Sequence, residues 1–353
     1  MSFDDLLEEN KPLAPLTTLG VGGPARWFLE ATKEELVAQA AAWARERGVR
    51  LLVLGGGSNL VISDAGFDGL VLHIALHGID TVEGAGSSGR RIYRAAAGED
   101  WDQFVQKCID QNCAGIECLA GIPGTVGGTP VQNVGAYGQE VSSTIERVRA
   151  FDLATHTWEE LPAWDCRFSY RRSRFNTAHR GRFVVTRVDY GLTPGGAPTL
   201  TYADLKREFA PDAHPSLAEV AAAVRRIRHA KGMLLVEGDP DCRSAGSFFK
   251  NPMITEERAD EIAQISGDQP PRYRLPEERK VKIPAAWLIE RAGFNKGYTL
   301  GAAGISSRHT LALINRGGAT SREILALAEQ IQNAVRERFG IALEKEPVLV
   351  GLH

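Results

Sequence analysis

The chain has 353 residues, more than one typical domain, so two or three domains with sizeable cores are expected. Its 43% hydrophobic and 24% charged content is ordinary for a soluble globular protein, and a formal net charge of −3 argues against a general nucleic-acid binder. The acidic start MSFDDLLEENK is no signal peptide, no apolar run reaches membrane-spanning length, and five cysteines without a secretion signal read as reduced thiols, so a cytoplasmic protein with no membrane insertion and no evident obligate protein partner is expected.

In chain order, GVGGPA (20–25) matches the dinucleotide fingerprint G-x-G-x-x-G/A letter for letter. Pro12 and Pro15 interrupt the approach and Pro24 lies inside the motif, so it reads as a glycine-rich turn between extended segments. Thr32 with Glu35 three residues on reads as a capping box opening a helix, which Gly48 closes. A strand over 50–54 follows and ends in GGGSN (55–59), a strand end whose amides can face an anion. It is not a P-loop, because the Gly-Lys-Ser/Thr ending is missing. Residues 70–74 and 91–97 read as strands, and 101–111 as a helix starting at Asp100 with Gln103 in capping position. Cys108, Cys113 and Cys118 recur every five residues, which invites an iron–sulfur reading but matches neither C-x-x-C pairs nor ferredoxin patterns, so they read as small buried residues.

Residues 119–138, LAGIPGTVGGTPVQNVGAYG, hold six glycines and almost no charge. Glycine at that density serves tight turns or close approach of backbone to something. Both a lysine-free amide cradle for phosphate oxygens and a bend between packed strands fit the stretch.

From 145 to 192 the pattern turns to strands: ERVRAF, HTWEEL and RFVVTRVDYGL. The basic segment FSYRRSRF (168–175) lies between two of them, with Arg172 and Arg174 reading as plain surface charge. PGGAP (194–198) is the best linker. A short helix near 202–209 and a longer one from Ser216, capped by Glu219, to about Lys231 come next. Helices are expected at 255–265, at 284–292 with Pro284 at N1, and at 321–339 between a Thr320/Glu323 capping box and Gly340. A strand over 341–350 ends the chain.

Ser247 and Lys250 form S-x-x-K, the signature of acyl-transferring serine enzymes, but S-D-N, K-T-G and G-x-S-x-G are all missing. The surrounding SAGSFFKNP (244–252) has another explanation. Together with GGGSN, AGIPGTVGG, QNVGAYG and FSYRRS in this order, it resembles the UDP-N-acetylenolpyruvoylglucosamine reductase (UDP-N-acetylmuramate dehydrogenase) family, from about residue 16 to 350. GGGSN and the IPGTVGG run belong to a wider flavoprotein superfamily, whereas SAGSFFKNP and the closing LEKE are more specific.

The resemblance implies an NADPH-dependent enzyme with non-covalent FAD that reduces UDP-N-acetylglucosamine enolpyruvate in peptidoglycan precursor synthesis. It implies Ser247 as proton donor, with Arg171 and Glu346 holding the substrate carboxylate. Glu344, two residues before Glu346 and on the same strand face, is its competitor. The implied cofactor-binding residues are Gly55, Gly56, Gly57, Ser58 and Asn59 in GGGSN. The glycine stretch adds Ile122, Pro123, Gly124, Thr125, Gly127 and Gly128, then Asn133, Gly135, Ala136, Tyr137 and Gly138. Tyr170, Tyr202, Arg228, Lys231, Lys250 and Asn251 match substrate-binding positions, and Tyr202 matches the subtype with a tyrosine-bearing substrate loop. Two departures stand out: Lys231 is followed by Gly-Met-Leu-Leu instead of Leu-Pro-Asp-Pro, and Pro347 follows Glu346 in place of valine.

The implied fold class is α+β: a two-subdomain FAD-binding module of the vanillyl-alcohol-oxidase (PCMH) type over 1–195, with subdomains of about 1–75 and 76–195. A C-terminal α/β substrate-binding domain over 199–353 follows. Three other classes compete: a flavin oxidase of the same superfamily acting on a small alcohol, a serine acyltransferase labelled at Ser247, and a non-enzymatic nucleotide-binding module.

Overall fold

The computed structural model describes residues 2–82, 89–275 and 280–352. The chain forms two compact units, one of residues up to Lys11, Ala25–Gly57 and Phe67–His229, the other of Pro12–Pro24, Ser58–Gly66 and everything from Ala230 on. Among the described residues no helix is long and apolar enough to cross a membrane.

The first unit holds two sheets. In the four-stranded one, Pro24–Ala31 and Leu51–Leu54 both run parallel to Phe67–Ile74 between them, with Glu8–Pro12 at the edge. Helix Glu34–Glu46 buries Val37, Ala40, Ala41 and Ala44, positions at helical spacing. The second sheet is antiparallel, in the order Thr157–Pro162, Ile145–Asp152, Phe183–Pro194, Arg91–Ala96, Ile79–Val82. Its central strand, Phe183–Pro194, is buried over nearly its whole length, as a strand covered on both faces must be. Tyr190 on that strand packs with Phe104 and Trp101 from helix Trp101–Asp110 at centroid distances of 5.0 and 5.8 Å. The two polar tips in this cluster reach into the glycine stretch. Tyr190 Oη lies 2.6 Å from Thr129 Oγ1, and Trp101 Nε1 donates to the Leu119 carbonyl at 3.0 Å.

In the second unit, helix Ser321–Phe339 is bounded by the expected capping box and by Gly340 at positive φ, and buries Ile324, Leu327, Ile331, Val335 and Phe339. The same unit holds two three-stranded sheets, one of Met253–Thr255, Lys280–Lys282 and Tyr273–Leu275, the other of Thr299–Leu300, Ala303–Ile305 and Leu313–Asn315. A parallel pair joins Leu60–Ile62 to Val348–Val350. The GVGGPA match serves packing here. A Cβ on Gly22 would stand 2.8 Å from Ile62 Cβ, and one on Gly23 2.3 Å from the Asp64 carbonyl oxygen.

Three local expectations change. Helix Glu34–Glu46 is capped by Lys33 without a side-chain bond, not by Thr32. Glu34 in its first turn is held by Arg149 Nε at 2.9 Å and Thr186 Oγ1 at 2.7 Å, a tertiary tie that outweighs the local capping option. Pro284 is the N-cap of helix Ala285–Arg291 rather than N1, since the Asn251 side-chain oxygen takes the Ala285 amide. The closing strand is only Val348–Val350. Pro347 has no N–H to continue a ladder, and the chain changes partner around it: Glu346 N donates to the Phe248 carbonyl, Val348 N to that of Asn59.

Candidate active site

In the first unit the site begins where strand Leu51–Leu54 runs out into glycines. A Cβ on Gly55 would stand 2.9 Å from Thr125 Oγ1, and one on Gly56 2.6 Å from Gly124 Cα. Only glycine lets these two backbones meet. The opposing stretch is stitched down by Trp101 N to the Gly124 carbonyl, Val126 N to Glu99 and Gly127 N to Ala97. Gly127 is fixed the same way, its Cβ position being 2.5 Å from Ala97 Cβ, whereas a Cβ on exposed Gly128 would meet nothing within 4 Å. Close backbone contact below and open space above make a cradle. We expect Gly56→Val to force the two loops apart and the purified variant to lose most of its flavin, read as the visible-to-280 nm absorbance ratio after desalting.

Beneath this cradle lies Arg228, buried, with Nε donating to the Gly121 carbonyl at 3.0 Å. Burial pushes its pKa down, against the opposing pull of Tyr137 and Asp102. Asp102 also accepts from Gly121 N at 2.7 Å and pairs with Arg225 at 2.7 Å. A stretch with no charge of its own therefore rests on buried Arg228 and the half-buried pair Asp102 and Arg225. Asn133 is buried, and its side chain is engaged with Glu140, the Ser169 carbonyl and the Ser142 amide. Tyr137 meets Tyr202 edge-on at 5.4 Å between centroids.

Tyr170 and Arg171 are the two central residues of a tight turn closed by reciprocal bonds between Ser169 and Arg172, each 3.0 Å. Arg171 has φ +56°, a conformation L residues adopt at a cost, and Asn176 Nδ2 grips its carbonyl at 3.1 Å. Arg172 is exposed as expected. Arg174 is not plain surface charge: it is half-buried, 2.6 Å from Asp165 and 3.3 Å from His179 Nδ1, because Phe175 beside it is drawn into the core.

In the second unit SAGSFFKNP runs between two partners. Phe248 N donates to the Leu311 carbonyl at 2.8 Å on one side. On the other, Glu346 N donates to Phe248 O and Lys250 N to Glu344 O, each 2.9 Å. This antiparallel contact around Phe249 and Lys345 brings the backbones of Ser247 and Glu346 together, with both side chains half-buried. Glu344 is committed to Lys250, 2.5 Å away, which separates it from its competitor Glu346. Asn59 joins the group through Nδ2 to the Glu346 carbonyl at 3.4 Å. Ser58 and Asn59 thus fall in the second unit, apart from Gly55, Gly56 and Gly57 of the same motif.

Lys231 leads into Gly232, which has φ +63° and packs on Asp241, Arg308 and Ser306 at 3.1–3.2 Å from its Cβ position. Asp241 is buried, bonded to Ser307 Oγ at 2.6 Å and Arg308 Nε at 3.0 Å. Burial raises its pKa, but the Ser307 and Arg308 bonds outweigh that and leave it low. Sequence patterns did not reveal this cluster, because Asp241 lies more than sixty positions from its partners Ser307 and Arg308. All five cysteines are free and buried, and burial pushes the Cys166 thiol up to about 12.

Residues 25–160 match the family described as FAD binding domain, and residues 239–350 the C-terminal domain of UDP-N-acetylenolpyruvoylglucosamine reductase. The chain is 47% identical over 351 residues to the UDP-N-acetylenolpyruvoylglucosamine reductase of Streptomyces coelicolor, covering 97% of this chain and 89% of that one. It is 46% identical to the Thermobifida fusca reductase, covering 97% and 98%. The crystal structure of the Thermus caldophilus reductase superposes with a TM-score of 0.68 at 26% identity, over 98% of this chain and 99% of that one. The chain therefore belongs to the UDP-N-acetylenolpyruvoylglucosamine reductase family.

Proposed function

We propose roles for individual residues in the reaction of this family. The chain is an FAD-containing oxidoreductase that uses NADPH to reduce UDP-N-acetylglucosamine enolpyruvate to UDP-N-acetylmuramate, a step of peptidoglycan precursor synthesis. FAD, when bound, supplies the hydride acceptor for NADPH and the hydride donor for the terminal vinyl carbon of the substrate. The glycine cradle fits such a cofactor: Gly55 and Gly56 pack where a side chain could not, and Gly128 opens to free space. Backbone amides of 55–57 and of Ile122, Gly124 and Thr125 would hold the cofactor's diphosphate.

Arg171 meets the substrate carboxylate, where a planar guanidinium matches two oxygens and stabilises the enolate charge as it grows. Ser247 gives its hydroxyl proton to the carbon next to the carboxylate. Glu346, on the segment bonded to that of Ser247, holds the substrate carboxylate together with Arg171. Tyr170, Tyr202, Arg228 and Lys231 contact the sugar nucleotide. Lys250 and Asn251 serve the same substrate from the Ser247 segment, Lys250 with its charge balanced by Glu344 and Asn251 while holding the Ala285 amide.

One observation carries this reading: the segment bearing Ser247 is bonded along its backbone to the segment bearing Glu346. The purified protein is expected to be yellow, to bleach anaerobically with NADPH, and to regain colour on adding UDP-N-acetylglucosamine enolpyruvate. A colourless protein that takes up no FAD would overturn it. Oxygen consumption with a small alcohol, without bleaching by NADPH, would instead point to a flavin oxidase.

A further inference from the structure

Glu117 is wholly buried and has no role in the reaction above. Its two oxygens nevertheless bind three donors: Oε2 accepts from Gly115 N at 2.8 Å, while Oε1 accepts from Gln139 Nε2 at 2.7 Å and from Thr199 N at 2.8 Å. Gln139 answers through its other end, taking the Cys118 amide at 2.8 Å, and its Nε2 also reaches Thr199 Oγ1 at 3.1 Å. Cys118 Sγ lies 3.2 Å from the Thr199 carbonyl. Thr199 is therefore gripped at its N–H, carbonyl and hydroxyl by residues 117, 118 and 139. Those three residues immediately precede and follow the glycine stretch of 119–138.

The contact continues along the chain. A Cβ on Gly138 would stand 2.1 Å from Thr201 Oγ1, and the Tyr202 ring meets Tyr137. We propose that Glu117 is a positioning residue: it clasps the two ends of the flavin cradle and docks the Tyr202 loop on that clasp. Substrate affinity then depends on a carboxylate that never touches substrate. A buried carboxylate suits this task because it accepts several bonds at once, and removing it strands donors that water cannot reach. The inference rests on Tyr202 contacting the UDP-sugar.

The test uses flavin-loaded full-length protein. Glu117→Gln keeps the size but puts an NH2 against one of these donors. Hydrogen exchange at the amides of 199–203 is expected to quicken about tenfold, and KM for UDP-N-acetylglucosamine enolpyruvate to rise about tenfold, the rate of NADPH-driven bleaching staying within about twofold. Thr199→Val removes only the hydroxyl that Gln139 reaches, and is expected to show the same pattern at about threefold. It decides the matter if Glu117→Gln does not fold. Unchanged exchange at 199–203 in the soluble variant overturns the clasp. Faster exchange with unchanged KM overturns its link to substrate. Wild-type protein that is not bleached by NADPH overturns the assigned reaction instead, while the exchange result still judges the clasp.

Discussion

Ser247→Ala is expected to leave NADPH-driven bleaching at the wild-type rate and to slow reoxidation by UDP-N-acetylglucosamine enolpyruvate by about 10³-fold, the range for a positioned proton donor. The split follows from the chemistry. Bleaching transfers a hydride and does not use the serine, whereas reoxidation must place a proton on the carbon beside the carboxylate. The change removes one oxygen from a half-buried position whose backbone bonds, Phe248 to Leu311 and Glu346 to Phe248, all remain. Stability should therefore change by less than about 1 kcal/mol, as for other substitutions that leave the core and backbone bonding intact. Rapid-mixing absorbance at the flavin band measures both half-reactions on one sample. Reoxidation at the wild-type rate would exclude Ser247 as the acid.

The route to Ser247 shows what local sequence carries. The Thr320/Glu323 box and the Asp100 cap with Gln103 are visible because both partners lie within one turn, and the structure has them both. The Thr32/Glu35 pair looks identical in sequence and fails, because Glu34 is drawn to Arg149, 115 positions away. The same limit applies to the site. A run of glycines without charge marks a place where backbone meets something, yet which backbone meets Gly56 is decided by Gly124, far along the chain. Arg174 reads as surface charge until Asp165 and the burial of Phe175 are known. Glu117 is the extreme case. Its partners lie 2, 22 and 82 positions away, and nothing in the surrounding residues marks that carboxylate as buried.

Arg171 carries the second large effect, and its backbone makes the prediction unusual. At φ +56° in a two-residue turn it occupies a position where glycine has no steric penalty and arginine does. Left-handed backbone costs an L residue roughly 1–2 kcal/mol, and glycine's extra unfolded-state entropy offsets about 0.5–1 kcal/mol of that gain. Arg171→Gly should then fold at least as stably as the wild type, or lose no more than about 1 kcal/mol once the contact of its guanidinium with the Tyr170 ring is gone. Its reoxidation by the enolpyruvyl substrate should nonetheless fall by about 10²–10³-fold, as expected when a donor facing developing charge is removed. Arg171→Lys keeps a positive charge but not the two parallel N–H bonds, and should recover only part of the loss. Thermal melting and single-turnover reoxidation of the three proteins decide between the readings. A destabilised Arg171→Gly would mean that the turn needs the arginine for folding. A stable variant with wild-type reoxidation would remove Arg171 from the site. A stable and inactive one would show backbone strain retained at this turn for the sake of the carboxylate it receives.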